Sequence, residues 1–162
     1  MDVQILESKS SKAIGVVQFR TAEQDTFLYK SASYAIKNRM IEVKEVSDSG
    51  SVNDLFVINY SDFYVFFMDG DILKGAKQNR VLNTSVLLKP HSKTVLPVSC
   101  VEAGRWRYSS SKFDVEERYS APPDVRFSKA KKVSMNLECN REFSADQREI
   151  WNYVEKVSDL ND

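Results

Sequence analysis

For about its first hundred residues the chain alternates between short apolar runs and polar turns. After that it changes to a helical rhythm. Residues 3–6 and 14–19 are apolar runs of strand length, and Gly15 marks a place for a bulge. Residues 31–39 predict a short helix capped by Ser31 or Ser33, with Ala32, Ala35 and Ile36 on one stripe. Residues 41–46 alternate strictly, which predicts a strand with one face buried and one charged. Further strands are predicted at 55–60, 64–68, 71–74, 82–88 and 94–102. Turns separate them at 47–51, at 59–62, at Asp69-Gly70 and at 89–92. Gly75 opens a polar stretch and permits a bulge or a close backbone approach.

From about residue 109 the pattern is that of a loop. Pro122-Pro123 then opens a helix with Ala130, Val133 and Leu137 at helical spacing. Ser144 to Gln147 reads as a capping box, followed by Ile150, Trp151, Val154 and Val157 as a helical stripe. The expected fold is α+β and β-rich. It has an antiparallel β-sandwich-like core, a short helix in the N-terminal half and two C-terminal helices. We read residues 1–162 as one domain: β-rich over 1–108, a loop over 109–121 and helical over 122–162.

Composition narrows the function classes. Lys+Arg and Asp+Glu both number 23, so the formal net charge is zero and a general nucleic-acid or membrane-surface role is not expected. A single histidine, His91, and two cysteines at no metal-ligand spacing argue against a zinc site and against most histidine-dependent nucleophiles. No metal and no cofactor is expected. No signal peptide or membrane-length apolar run is visible, which makes the cytoplasm, with reduced thiols, the expected compartment.

The candidate chemistry lies between Gly75 and Trp106. Lys77, Gln78, Asn79, Arg80 and Asn83 crowd one segment, and Arg105 and Trp106 follow shortly after. Arginine offers a rigid fork to phosphate, lysine a point charge, and asparagine both a donor and an acceptor, so the group suits an anion. In a strand, Lys77 and Asn79 face one way and Gln78 and Arg80 the other. The competing reading is therefore a set of ion pairs holding strands in register. Glu102, at the end of an apolar strand, is the candidate general acid or base, with Asp69 or Asp71 as a second carboxylate. Its competing role is a salt bridge to Arg80 or Arg105. Cys100 reads as a small buried apolar side chain, and the basic run Arg126, Lys129, Lys131 and Lys132 as a solvated helix face.

Several motifs carry a resemblance. They are Asn59-Tyr-Ser-Asp62, Asp69-Gly-Asp71, the run from Gly75 to Thr84, the run from Pro97 to Glu102 continuing to Gly104-Arg-Trp106, and the run from Asp146 to Trp151. The chain resembles a bacterial family of domains named for association with ADP-ribosylglycohydrolases and rhodanese-like phosphatases. It departs from that pattern at Asp71, where a glutamate pair is expected, and members are expected to run further past Trp151. The resemblance implies a link to NAD or ADP-ribose metabolism. The expected function is binding of a phosphate-bearing small molecule such as an ADP-ribose derivative. The alternatives are a hydrolase acting on such a compound and a structural or oligomerisation module. Open sheet edges make a homodimer an expected partner state.

Overall fold

The computed structural model describes residues 3–21, 27–46, 53–75, 78–102 and 112–139, together with 143, 145, 147, 148 and 150–153. The first two strands, β1 (Val3–Ser11) and β2 (Ile14–Thr21), form an antiparallel hairpin whose turn carries Lys12 at φ 46. The irregularity in this pair lies between Ile5 and Glu7. Gly15, expected to be the bulge, pairs regularly with Ser10. A Cβ at Gly15 would meet nothing within 4 Å, so no crowding calls for a glycine there. Every residue of the hairpin is exposed.

The core begins at β3 (Tyr29–Ser31), which leads straight into α1 (Ala32–Lys37). Ser31 caps the helix, its Oγ accepting the Tyr34 N–H at 3.4 Å, and Ala32 and Ala35 face inward. The charged–apolar alternation makes β4 (Ile41–Glu45) bury Ile41 and Val43. It pairs antiparallel with β5 (Asp54–Asn59), setting Val43 opposite Val57. The remaining strands are β6 (Tyr64–Phe67), β7 (Ile72–Gly75), β8 (Arg80–Leu82), β9 (Val86–Leu88), β10 (Lys93–Cys100) and β11 (Phe113–Val115).

These strands make two sheets around one core. One runs β11-β7-β8-β10-β5-β4, every pair antiparallel; the other runs β3-β6-β9, with β3 parallel to β6. Leu55, Val57, Leu73, Leu82, Leu96 and Val98 from the first meet Val65, Phe67 and Leu88 from the second, with α1 against them. The fold is α+β and β-rich, as its alternating strands indicate.

Three expectations need correction. Residues 82–88 are not one strand, because β8 and β9 belong to different sheets. Between them Asn83 is 2% exposed and bonded on both side-chain ends, and Ser85 Oγ accepts the Asp69 N–H at 2.9 Å, so the chain is pinned where it changes sheet. Within the expected loop 109–121, Phe113–Val115 forms an edge strand, with Phe113 in the core. The first C-terminal helix, α2 (Pro123–Glu138), buries Val125, Lys129 and Val133; Ala130 and Leu137 are exposed. The buried stripe runs through a lysine because that lysine has partners in the turn beneath it.

That turn is Asp69-Gly70, which returns the chain from β6 to β7 with Gly70 at φ 86. A Cβ on Gly70 would sit 2.8 Å from Arg126 Cδ, a flexible side chain that can move aside, so it is the positive φ that favours glycine here.

Candidate functional site

Gly75 has φ 136 and ends β7. Its N–H donates to Asn79 Oδ1 at 3.1 Å, closing a small loop. The Asn79 N–H donates to Glu102 Oε2 at 3.0 Å, and Gln78 Nε2 donates to the Glu102 carbonyl at 3.0 Å. Val101 N–H reaches the Asn79 carbonyl at 3.2 Å. The polar run is thus laced to the end of β10. Lys77, Arg105 and Trp106 lie outside the described residues.

Arg80 opens β8 two positions before Leu82 and shares its face, which is the face turned to the main core. Its side chain is fully buried, with Nη2 3.7 Å from Glu45 Oε1 on β4 and Nη1 against Cys100 Sγ. Gln78, at 4% exposure, and Asn83 are also buried. Asn83 Nδ2 donates to the Phe143 carbonyl at 3.3 Å, and its Oδ1 accepts from Ser99 Oγ at 2.8 Å. Gln147 accepts the Cys100 N–H at 2.8 Å and donates back to the Cys100 carbonyl. The capping-box reading falls partly on Ser144, outside the described residues. Gln147 itself acts as an extra strand partner that fastens the C-terminal helical turn to β10.

The structure therefore ties Gln78 and Asn79 to Glu102, and it buries Gln78, Arg80 and Asn83 while Asn79 and Glu102 stay half-buried. Asp69 receives Arg126 Nε at 3.3 Å and Lys129 Nζ at 3.2 Å. Asp71 Oδ2 accepts the Met68 N–H at 2.9 Å, and burial pushes its carboxyl up from the ordinary range. Burial likewise pushes the Cys100 thiol up, the direction of an inert structural cysteine. His91 is exposed beside Asp62, its Nε2 at 2.7 Å from Oδ1. Lys129, expected on a solvated face, is 2% exposed. Among the described residues no three His, Cys, Asp or Glu side chains gather as metal ligands.

Sequence reasoning missed a second place. A cleft of about 440 Å³ opens between the end of α1, β4 and β11. Ile36, Ile41, Val43 and Phe113 form its apolar side; Arg39, Glu42, Tyr60 and Lys112 form its polar side. Glu42 receives Lys44 Nζ at 2.8 Å, Lys112 Nζ at 3.0 Å and the Tyr60 hydroxyl at 3.2 Å. Chiefly through Lys44 and then Lys112, its carboxyl is held down at about 2. Arg39 follows α1 with φ 56, a left-handed conformation that glycine or asparagine usually takes at a helix end. Its guanidinium has no acceptor among the described residues. The signal in the sequence was Asn38-Arg39 where a helix-ending glycine would serve.

A family model described as the ARG and Rhodanese-Phosphatase-superfamily-associated Protein domain matches residues 2–161. The chain belongs to this family. No curated protein matches it, and no solved structure matches it. Both the internal network and the cleft fall within the matched residues, so both are features of this member of the rhodanese-phosphatase-associated family. No helix among its described residues is long and apolar enough to cross a membrane.

Proposed function

We propose that this domain binds a phosphate-bearing small molecule in the cleft beside Arg39, and that an ADP-ribose or NAD derivative is the ligand class to test first. The observation that carries the reading is Arg39 itself. An arginine held at positive φ is a local backbone cost, and it sets a guanidinium without an acceptor among the described residues at the edge of a cleft. A guanidinium fork matches phosphate oxygens. The Lys112 ammonium adds charge, the apolar wall suits a base or sugar face, and Glu42 offers acceptors to hydroxyl groups. The family's named association with ADP-ribosylglycohydrolase proteins supports this ligand class over other phosphates.

Binding is favoured over turnover. Glu102, Asp69 and Asp71, the carboxylates a hydrolase would use, each hold backbone or side-chain donors of the fold. The buried Arg80 and Asn83 support a structural role for the run from Gln78 to Asn83, with Asn83 bonded to the Phe143 carbonyl. A cytoplasmic setting fits two cysteines that are both free.

The test is thermal shift and calorimetry with ADP-ribose, NAD, AMP and inorganic phosphate. A ligand at a hundredfold excess over its Kd stabilises the folded state by about 2.7 kcal/mol. The shift should vanish in Arg39→Ala and Lys112→Ala while their ligand-free melting temperatures stay near the parent's. A shift that survives both substitutions, or no shift with any of the four compounds, overturns the reading.

A further inference from the structure

Among the described residues the β1–β2 hairpin pairs with no other strand, all its residues are exposed, and one of its faces is largely apolar. Ile5 pairs with Phe19, and by strand alternation Val3 and Val17 share their face, with Leu6 at the bulge between Ile5 and Glu7. Ile5 and Phe19 are 64% and 62% exposed. The opposite face carries Gln4, Glu7, Lys9, Gln18 and Arg20, with Val16 and Ile14 toward the turn. A lone two-stranded hairpin is marginal in water, and one with a bare apolar face needs cover.

The same chain presents a second bare surface of matching kind. In the β3-β6-β9 sheet, Val65, Phe67 and Leu88 point to the core, so Tyr64, Phe66 and Leu87 point outward. Phe27 lies against Tyr64 with ring centroids 4.6 Å apart, and Tyr29 against Phe66 at 5.6 Å, which makes a continuous aromatic stripe. Leu87 and Met68 beside it are 46% and 47% exposed. Both edges of this sheet, β3 and β9, are free of strand partners among the described residues.

We propose that the hairpin is an exchange arm: its Val3–Ile5–Val17–Phe19 face seats on the Tyr29–Phe66–Leu87 face of a second copy of this chain, reciprocally. Three observations select a second copy as the occupant. Each chain carries both halves of the contact, so one twofold operation covers two arms and two sheets at once. The formal net charge is zero, which leaves no overall repulsion between copies. Two such contacts bury on the order of 1,500 Å², the size of a standard specific interface.

The experiment is sedimentation equilibrium of the full chain across the micromolar range, with circular dichroism to confirm folding. The parent is expected to be a dimer. Ile5→Lys/Phe19→Lys on the arm and Met68→Lys/Leu87→Lys on the sheet should each weaken dimerisation at least tenfold while leaving the spectrum of the body unchanged. Mixing the two variants should restore a heterodimer through the one intact arm–face pair. A photo-crosslinker at position 19, in a mixture of isotopically light and heavy chains, should join light to heavy at residues 27–29, 64–68 or 86–88. A monomeric parent, whether or not it binds lipid vesicles, overturns the proposal. So does a dimer indifferent to either pair of substitutions, and so do crosslinks found only within one copy.

Discussion

Lys129 Nζ on α2 lies 3.2 Å from Asp69 Oδ1 in the β6–β7 turn, although only 2% of the lysine side chain is exposed. The same ammonium donates to the Leu82 carbonyl. Lys129→Ala should therefore cost about 3 kcal/mol in urea unfolding, since it leaves a largely buried carboxylate with Arg126 alone. Lys129→Met keeps the volume but removes the same partner from Asp69, so it should cost nearly as much. Burial pushes this ammonium below its ordinary 10.5, so in the alkaline range below that value the unfolded chain binds more protons than the folded one. The residue's contribution thus rises as pH climbs toward 10.5, and Lys129→Met should remove that rise. An unchanged alkaline slope would mean the lysine is solvated.

Arg80 should behave as an interior strut. Glu45 is largely buried, and among the described residues neither carboxylate oxygen has a hydrogen-bond partner beyond the 3.7 Å approach of Arg80. Arg80→Ala is expected to destabilise by about 3 kcal/mol, and the double variant with Glu45→Gln should recover part of that loss. Stability near the parent's, measured in urea, would put Arg80 back among the binding residues.

Asp71 has the opposite sign. Its carboxyl is pushed up by burial, so its contribution is fully present below the unfolded value of 3.8 and is lost as pH rises through the folded value. Asp71→Asn should be neutral or stabilising at pH 7 and should lose that advantage near pH 4. Denaturant midpoints at the two pH values decide it.

Glu42, held down at about 2 by Lys44 and Lys112, contributes stability above its unfolded value of 4.5 that fades as pH falls toward 2. Glu42→Gln should be less stable than the parent at pH 7 and should converge with it in strong acid. A constant gap across an acid titration would show that the lysines do not act on this carboxylate.

The two thiols should separate cleanly. Cys139 is exposed and Cys100 buried, its thiol pushed up by that burial. A thiol reagent should consume one equivalent at once, and the second only on unfolding. Two fast equivalents would open the case for Cys100 as a reactive group.

Much of the fold is legible from neighbouring residues. Alternation at 41–46 and 55–60, Ser31 before a short helix, and Asp69-Gly70 as a turn all depend on backbone preferences and a local period, and the structure carries each of them. The fates of Arg80 and Lys129 were not legible. Whether a charge is solvated or buried depends on a partner elsewhere in the chain, here Glu45 for Arg80 and Asp69, 60 residues away, for Lys129. The same holds for the break between β8 and β9, set by Asn83 reaching Ser99 and Phe143. The cleft at Arg39 joins α1, β4 and β11, and β11 lies in a stretch with no strand signal. The sequence by itself determined several of the strands, the Asp69-Gly70 turn and the family. Only tertiary packing decided which polar residues are interior fastenings and which face an open cleft, because burial and pairing are properties of contacts between distant segments.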